Sequence, residues 1–493
     1  MSKTSRSIPL VAAALERSSD LSIVLGVSWL ARVIFVFAIG DAHSLDVDHW
    51  QRALEAQHDG QNPYETGVLN WPPFWLQIIV LLDAIASHVD ISFWTALRIY
   101  LVLAESALII TLYLTLVSVG ARPSAVRRAL LVGIALNPLA ILLVCQHRNS
   151  DVNVGLLVTL AVAALIAYRR SRDVVFWLAS CLLLGVGVLA KTVPLVLAPM
   201  LAPGARLAGK AGIALGAALF LGPAALGLSV IMAFAPGATQ KHVIGYRSFP
   251  GYFGVEGLLD DVTTVHTWVG PVMILALVVV AAVVQRWRRP SRDDPLSPNR
   301  MFLLGALLFM AAVFGVATLF DRLSTVDVRP RYGTLFTLLV IAMVAWLMRR
   351  LWQESPLTPQ QLFLLVAMTF MLVVAIGSGY GPQYAYWFIP ALVATYVLLD
   401  DAWRRLLRIG YVVAGLTYMF EYGFIPWLGA WVPAVFGSSH WTAEVAEFLI
   451  PYRLVLVNVP LFVVYLLVLA AGISRLAAPR TAERLAASAF RGA

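Results

Sequence analysis

The sequence predicts an all-α, polytopic transmembrane protein of about fourteen helical spans, and three observations carry that prediction. Charged residues make up only 13% of the 493-residue chain, hydrophobic residues 60%, and mean hydropathy is +0.81. A soluble domain has about 25% charged residues. Apolar runs long enough to cross a bilayer, about 17 residues or more, recur from end to end. Runs such as Val269–Val284 are continuously apolar, where a membrane barrel strand would alternate apolar and polar residues. Lipid offers no partner to open backbone groups, so the spans are helices.

The expected spans run over 21–40, 96–118, 129–145, 152–168, 174–190, 193–202, 211–234, 268–285, 302–320, 333–349, 361–377, 384–400, 409–428 and 453–473. The whole chain, 1–493, reads as one integral membrane domain. The span at 193–202 is short, and Pro194 and Pro199 predict a break or tilt there. The N-terminal stretch lacks a cleavable signal pattern, so the first span begins near Leu21.

The segment 73–89 is apolar but opens on two prolines and carries Gln77, Asp83 and His88. It reads as a helix lying along the outer interface. Leaving it out of the count puts most of the 36 lysines and arginines on one side, in short turns, in both termini and in the basic tail 474–493. By the positive-inside rule that side is cytoplasmic. The outer loops are then 41–95, 146–151, 235–267, 321–332, 378–383 and 429–452, and they hold most of the 27 acidic residues. Any chemistry belongs on the outer face. The Ala/Val/Arg-rich composition fits a bacterial plasma membrane.

The net charge of +9 is accounted for by membrane sidedness rather than by nucleic acid. Cys145 and Cys181 fall in or beside apolar helices and read as small buried residues. Walker and dinucleotide fingerprints do not occur, which argues against a nucleotide-sugar donor.

The first outer loop, 41–95, is the catalytic candidate. It carries Asp46 and Asp48, then Gly60, Asn62-Pro63-Tyr64 and Trp71-Pro72-Pro73. Carboxylates so close to a span are costly unless used, at about 2.5–3.5 kcal/mol each at the helix centre. In an irregular loop, side chains two apart point to opposite sides, so one aspartate could serve as a base while the other orients a neighbour. The plain alternative is a pair of solvated carboxylates or a cap for a helix over 49–58.

Acid, helix, Gly-x-x-Pro-Tyr, then aromatic-Pro-Pro before an apolar helix resembles the first outer loop of the GT-C superfamily of membrane glycosyltransferases. The nearest resemblance is to the catalytic subunit of the first mannosyltransferase of GPI-anchor assembly, carried by Asp46, Asp48, Gly60, Pro63, Tyr64 and Pro72. Elsewhere the resemblance is thinner. Asn137-Pro138 followed by Gln146-His147-Arg148 is similar to an Asn-Pro span and polar turn of that superfamily. Lys191 before Val193-Pro194 is similar to its Lys-before-Pro pattern. Gly381-Pro382-Gln383-Tyr384-x-x-Trp387-x-x-Pro390 resembles a motif of bacterial polyprenyl-phosphate mannosyltransferases.

The resemblance implies a GT-C-like fold and an inverting hexosyltransferase. Its donor would be a polyprenyl-phosphate sugar, mannose by preference, and its acceptor a hydroxyl of a lipid, glycan or protein. Asp48 or Asp46 is the expected general base. Donor phosphate is expected at Lys191, His242, Tyr246, Arg247, Arg329 and Arg331, with the loop 235–267 as the donor-binding segment. His147, Arg148, Tyr64, Gln383, Tyr384 and Trp387 are expected at the acceptor and sugar pocket. Each also has a bland reading: a hydrated turn, a snorkelling lysine, or an aromatic belt. No cofactor or metal site is assigned. Asp46 and Asp48 could hold a divalent cation, for which no further ligands are identifiable.

A transporter or flippase of lipid-linked glycans is the competing reading. Transporters place ionisable groups near the midplane. Here Arg32 and Glu105 are the main candidates, and the remaining charge collects at the outer ends. Acyl transfer is disfavoured because no nucleophile with a base in reach is visible.

Overall fold

The computed structural model describes residues 7–39, 45–244, 357–376 and 382–399, with single positions between 341 and 416. The described residues form helices joined by short turns. Among the described residues four stretches are long and apolar enough to cross a membrane: Ser18–Phe37, Phe93–Ser118, Asp151–Ser171 and Val193–Phe234. A bent pair makes a fifth, and Pro73–His88, Val174–Ala190, Pro359–Val374 and Ile389–Leu398 are shorter apolar helices. The expected spans at 268–285, 302–320 and 453–473 lie outside the described residues, as do most of 333–349 and 409–428.

Helix α1 (Ser7–Ile39) begins well before the expected Leu21, although its span-like part starts at Ser18. Helix α2 (Leu45–His58) buries Val47, Trp50 and Leu54 along one stripe, the spacing of an amphipathic helix. Asp46 and Asp48 lie in its first turn, where carboxylates complement the helix dipole. The irregular loop expected around them is therefore a helix.

A 3-10 turn, Pro63–Thr66, follows. Asn62 accepts a hydrogen bond from the Tyr64 N–H, and Gly67 closes the turn at φ 76°. Helix α3 (Pro73–His88) starts on proline, which is pre-set for a first turn. It packs on α2 through Trp50, whose ring meets Trp71 at 6.2 Å and Trp75 at 5.3 Å, both edge-on. Helix α3 buries Trp75, Leu76, Ile79 and Leu82 and exposes Leu81 and Ile85.

Helix α4 (Phe93–Ser118) is capped by Ser92. The span expected over 129–145 is not straight. Helix α5 (Pro123–Leu130) runs into a π turn, Leu131–Ala135, and helix α6 (Pro138–Leu142) runs into another, Leu143–His147, with a 50° bend between the two halves. Pro138 cannot donate to the Ile134 carbonyl, and the Leu139 N–H goes to Asn137 Oδ1 instead. Asn137-Pro138 is thus the physical cause of the bend.

Helices α7 (Asp151–Ser171) and α8 (Val174–Ala190) match expectation. Val193–Leu201 is a 3-10 helix rather than an α span, as its prolines foreshadow. It continues into α9 (Ala202–Phe234), which turns back at Gly209, where φ is 71°. Both arms of this hairpin clasp one indole. A Cβ on Gly204 or on Gly216 would come within 2.2 Å of the Trp177 ring. Helix α10 (Pro359–Ile376) matches its expected span. The span expected over 384–400 is a 3-10 turn, Pro382–Trp387, followed by the ten-residue helix α11 (Ile389–Leu398).

Candidate functional site

Polar side chains gather where α2, the end of the bent span, the start of α7, the end of α8 and the turn 382–387 meet. Asp46 is the centre. His147 Nε2 lies 2.9 Å from Asp46 Oδ2, and Asn149 Nδ2 donates to the same oxygen at 2.8 Å. A carboxylate only accepts, so Nε2 is the protonated nitrogen of this imidazole. Burial works to raise the Asp46 carboxyl. The hydrogen bond and charge of His147, with Lys191 and His49 nearby, outweigh it and hold the group below the ordinary carboxylate value.

The chain reaches this geometry through its backbone. The π turn Leu143–His147 ends at Arg148, which sits in the left-handed region at φ 53°. Asn149 Oδ1 then accepts from the Asp151 N–H and from Ser150 Oγ, both at 3.2 Å. That leaves the Asn149 amide nitrogen for Asp46. Such π turns recur at functional sites because they re-aim side chains.

A second cluster adjoins the first. Lys191 Nζ is 2.7 Å from Asp151 Oδ1, and Trp387 Nε1 donates to the same oxygen at 2.7 Å. The ammonium lies 4.3 Å from the Tyr384 ring centre and 5.0 Å from that of Trp387. The two rings stack at 4.4 Å. Asp151 is fully buried, and among the described residues its Oδ2 has no hydrogen-bond partner.

Several expected site residues thus converge: Asp46, His147, Lys191, Tyr384 and Trp387. His242 lies against the end of the Pro63–Thr66 turn, with its ring 3.5 Å from the position a Gly67 Cβ would take. Gln383 is buried beside them on the 382–387 turn. Arg148 is buried, donates from Nε to the Cys145 carbonyl at 3.3 Å, and lies over Trp94 at 5.4 Å. Tyr64 is buried with its hydroxyl on the Trp71 carbonyl at 3.2 Å, and burial pushes its phenol well above the usual value. That contact ties the Pro63–Thr66 turn to Trp71. Tyr246, Arg247, Arg329 and Arg331 lie outside the described residues.

Asp48 is two residues from Asp46 on a helix, so the two side chains point about 200° apart. A cation bridging both carboxylates does not fit that geometry. Among the described residues no group of three or more His, Cys, Asp or Glu side chains gathers around a common point.

The midplane candidates Arg32 and Glu105 are paired with each other. Arg32 Nε is 2.6 Å from Glu105 Oε2, and Nη2 is 2.7 Å from Oε1. Tyr386 also donates to Oε1, at 3.2 Å. Arg32 Nη1 and Nη2 reach the carbonyls of Ala135 and Ile134, two groups at the Pro138 break. The buried charge thus repairs the bent span.

Sequence reasoning missed Asn149, Asp151 and Tyr386 as site members. Asn149 and Asp151 stand in the polar run 146–151, whose density between two apolar helices was the available signal. Tyr386 gave no such signal.

No family model matches the sequence, and no curated protein matches it. The chain aligns with the crystal structure of the Archaeoglobus fulgidus oligosaccharyltransferase in the apo form, at a TM-score of 0.38 and 13% identity. The alignment covers 92% of this chain and 56% of that one, so the chain spans a little over half of that protein's length. At that TM-score the likeness carries no argument about activity.

Proposed function

We propose that the chain is a membrane glycosyltransferase of the GT-C kind. It would transfer a sugar, mannose by the motif resemblance, from a polyprenyl-phosphate donor to an acceptor hydroxyl of a lipid, glycan or protein. Its site would face the outer side of a bacterial plasma membrane, with both termini cytoplasmic. The observation that carries this reading is the Asp46–His147–Asn149 cluster: an ionised carboxylate, oriented by two donors, beside a lysine and two stacked aromatic rings.

In the proposed step the acceptor oxygen attacks the anomeric carbon opposite the phosphate. The new C–O bond forms as the bond from carbon to phosphate oxygen breaks, and the polyprenyl phosphate leaves with the electron pair. The hydroxyl proton passes to Asp46, and the configuration inverts. Asp46 is preferred to Asp48 because His147 and Asn149 fix its orientation. Lys191, His242, Tyr246, Arg247, Arg329 and Arg331 are assigned to the donor phosphate. Tyr384 and Trp387 offer aromatic faces to the sugar, and Gln383, His147, Arg148 and Tyr64 complete or brace that pocket.

The test is transfer of radiolabelled mannose from polyprenyl-phosphate-mannose by the purified protein in native lipid extract. Asp46→Asn should lower transfer by about 10²–10⁴-fold, the range of a lost general base. Asp48→Asn should lower it far less. Equal transfer by wild type and Asp46→Asn would remove the base assignment. No transfer from mannose, glucose or arabinose carriers would bring the transporter reading forward.

A further inference from the structure

The end of the bundle away from Asp46 holds a cavity of about 440 Å³ between the first half of the bent span and α11. It is far from the site along the chain's own geometry: α11 starts beside Trp387 and ends past Tyr396, and the bent span runs from Pro123 to His147. Its wall is mainly alanine, valine, leucine and glycine. Four larger polar-tipped side chains interrupt it: Arg128, Arg408, Tyr396 and Tyr411.

The two arginines set the character of this cavity. Arg128 is exposed, and among the described residues neither it nor Arg408 meets a carboxylate. The adjacent Arg127 does, pairing with Asp20 at 2.6 Å. Arg408 is exposed too, and its guanidinium lies 5.7 Å from the Tyr396 ring centre. Tyr411 donates to the Val132 carbonyl, which lies at the π turn, and so closes one wall. Two arginines over an apolar chamber match a phosphate with hydrocarbon below it. Guanidinium forks suit phosphate oxygens, and basic pockets between spanning helices are a recurrent seat for anionic lipid headgroups.

We propose that this cavity binds one anionic phospholipid, its phosphate between Arg128 and Arg408 and the upper part of an acyl chain against the apolar wall. By the sidedness of the basic turns the lipid would come from the cytoplasmic leaflet. A free phosphate is the wrong occupant, because it would leave the apolar wall wet.

Native mass spectrometry of the full chain in detergent tests this, with phosphatidylglycerol, phosphatidylcholine or inorganic phosphate added. Wild type should retain one phosphatidylglycerol and release phosphatidylcholine. Replacing both arginines, R128Q with R408Q, should weaken retention about thirtyfold, at roughly 1 kcal/mol for each lost charge. The R128K and R408K pair should keep most of it. Ala125→Phe, which leaves both arginines and fills the cavity, should also lose the lipid, and it covers the case in which the glutamine pair does not fold. Undiminished retention by Ala125→Phe or by the glutamine pair would overturn the proposal. So would equal binding of phosphatidylcholine, or displacement of phosphatidylglycerol by inorganic phosphate at the same concentration. The measurement does not involve sugar transfer, so its failure and that of the glycosyltransferase reading are separate results.

Discussion

His147 and Asp46 stand 101 positions apart in the chain and meet at 2.9 Å, joining the amphipathic helix after the first span to the π turn that ends the bent one. The contact makes an ionised carboxylate of defined orientation from two residues that are unremarkable alone. Replacing the imidazole removes a hydrogen bond to a charged group, about 1.5–3 kcal/mol. His147→Gln should therefore cut transfer by tenfold or more without abolishing folding, read as initial rate beside thermal melting.

The same contact has a pH signature. The Asp46 carboxyl is held below its ordinary value of 3.8 in the folded protein. Its contribution to stability is present above pH 3.8 and is lost as pH falls through the lower folded value. In His147→Gln the folded value moves up. The acid limb of the rate profile should shift to higher pH, and less stability should be lost between neutral and acid pH. Rate profiles from pH 3 to 7 and melting curves on the same samples check this; an unmoved acid limb would show that His147 does not act through Asp46.

Asp151 and Lys191 form an ion pair in which one partner is fully buried and the other is 15% exposed. Removing one partner of a buried pair costs about 3–5 kcal/mol, because the other charge stays without compensation. Lys191→Met should lower the melting temperature markedly. Lys191→Met with Asp151→Asn should recover a large part of that loss. Additive losses in the double-mutant cycle would contradict a direct pair.

Arg32 carries two duties, the charge of Glu105 and the carbonyls at the Pro138 break. Arg32→Met and Glu105→Gln each orphan a buried charge, at about 3–5 kcal/mol, and Arg32→Met should be the more damaging because it also strips the Ala135 and Ile134 carbonyls of their donor. Glu105→Gln keeps an acceptor for Tyr386. Detergent melting of both variants gives the comparison, and equal losses would speak against the carbonyl role.

The α9 hairpin offers a steric test. Gly204→Ala and Gly216→Ala each drive a methyl into the Trp177 ring, an overpacking cost of about 1–3 kcal/mol. Gly222 has open space around its would-be Cβ, so Gly222→Ala should instead stabilise by about 0.5–1 kcal/mol through helix propensity. Melting temperatures of the three variants should move in opposite directions accordingly.

Much of the helix plan was legible because lipid leaves few options. Helix α8 and the expected span 174–190 share both ends, since Asp173 caps one and Lys191 stops the other. The bend at Asn137-Pro138 was present in the sequence as a missing N–H, yet its 50° size was not. The span expected over 129–145 did not show that carbonyls freed by proline are satisfied from another helix, by Arg32. The loop expected around Asp46 and Asp48 is a helix because Val47, Trp50 and Leu54 form one buried stripe, with Trp50 seated against Trp71 and Trp75.

Composition and apolar run length alone established that this chain is built of helices able to cross a membrane, and the motif resemblance pointed to Asp46, His147, Lys191 and Trp387. Tertiary structure alone decided which of them touch. Asn149 and Asp151 joined the cluster around Asp46 and Lys191, and Arg32 and Glu105 became each other's partners. The reason is physical. Hydropathy is a sum over neighbours in sequence, whereas a buried polar group takes its meaning from the single partner that satisfies it. Here those partners lie 40 to 281 residues away.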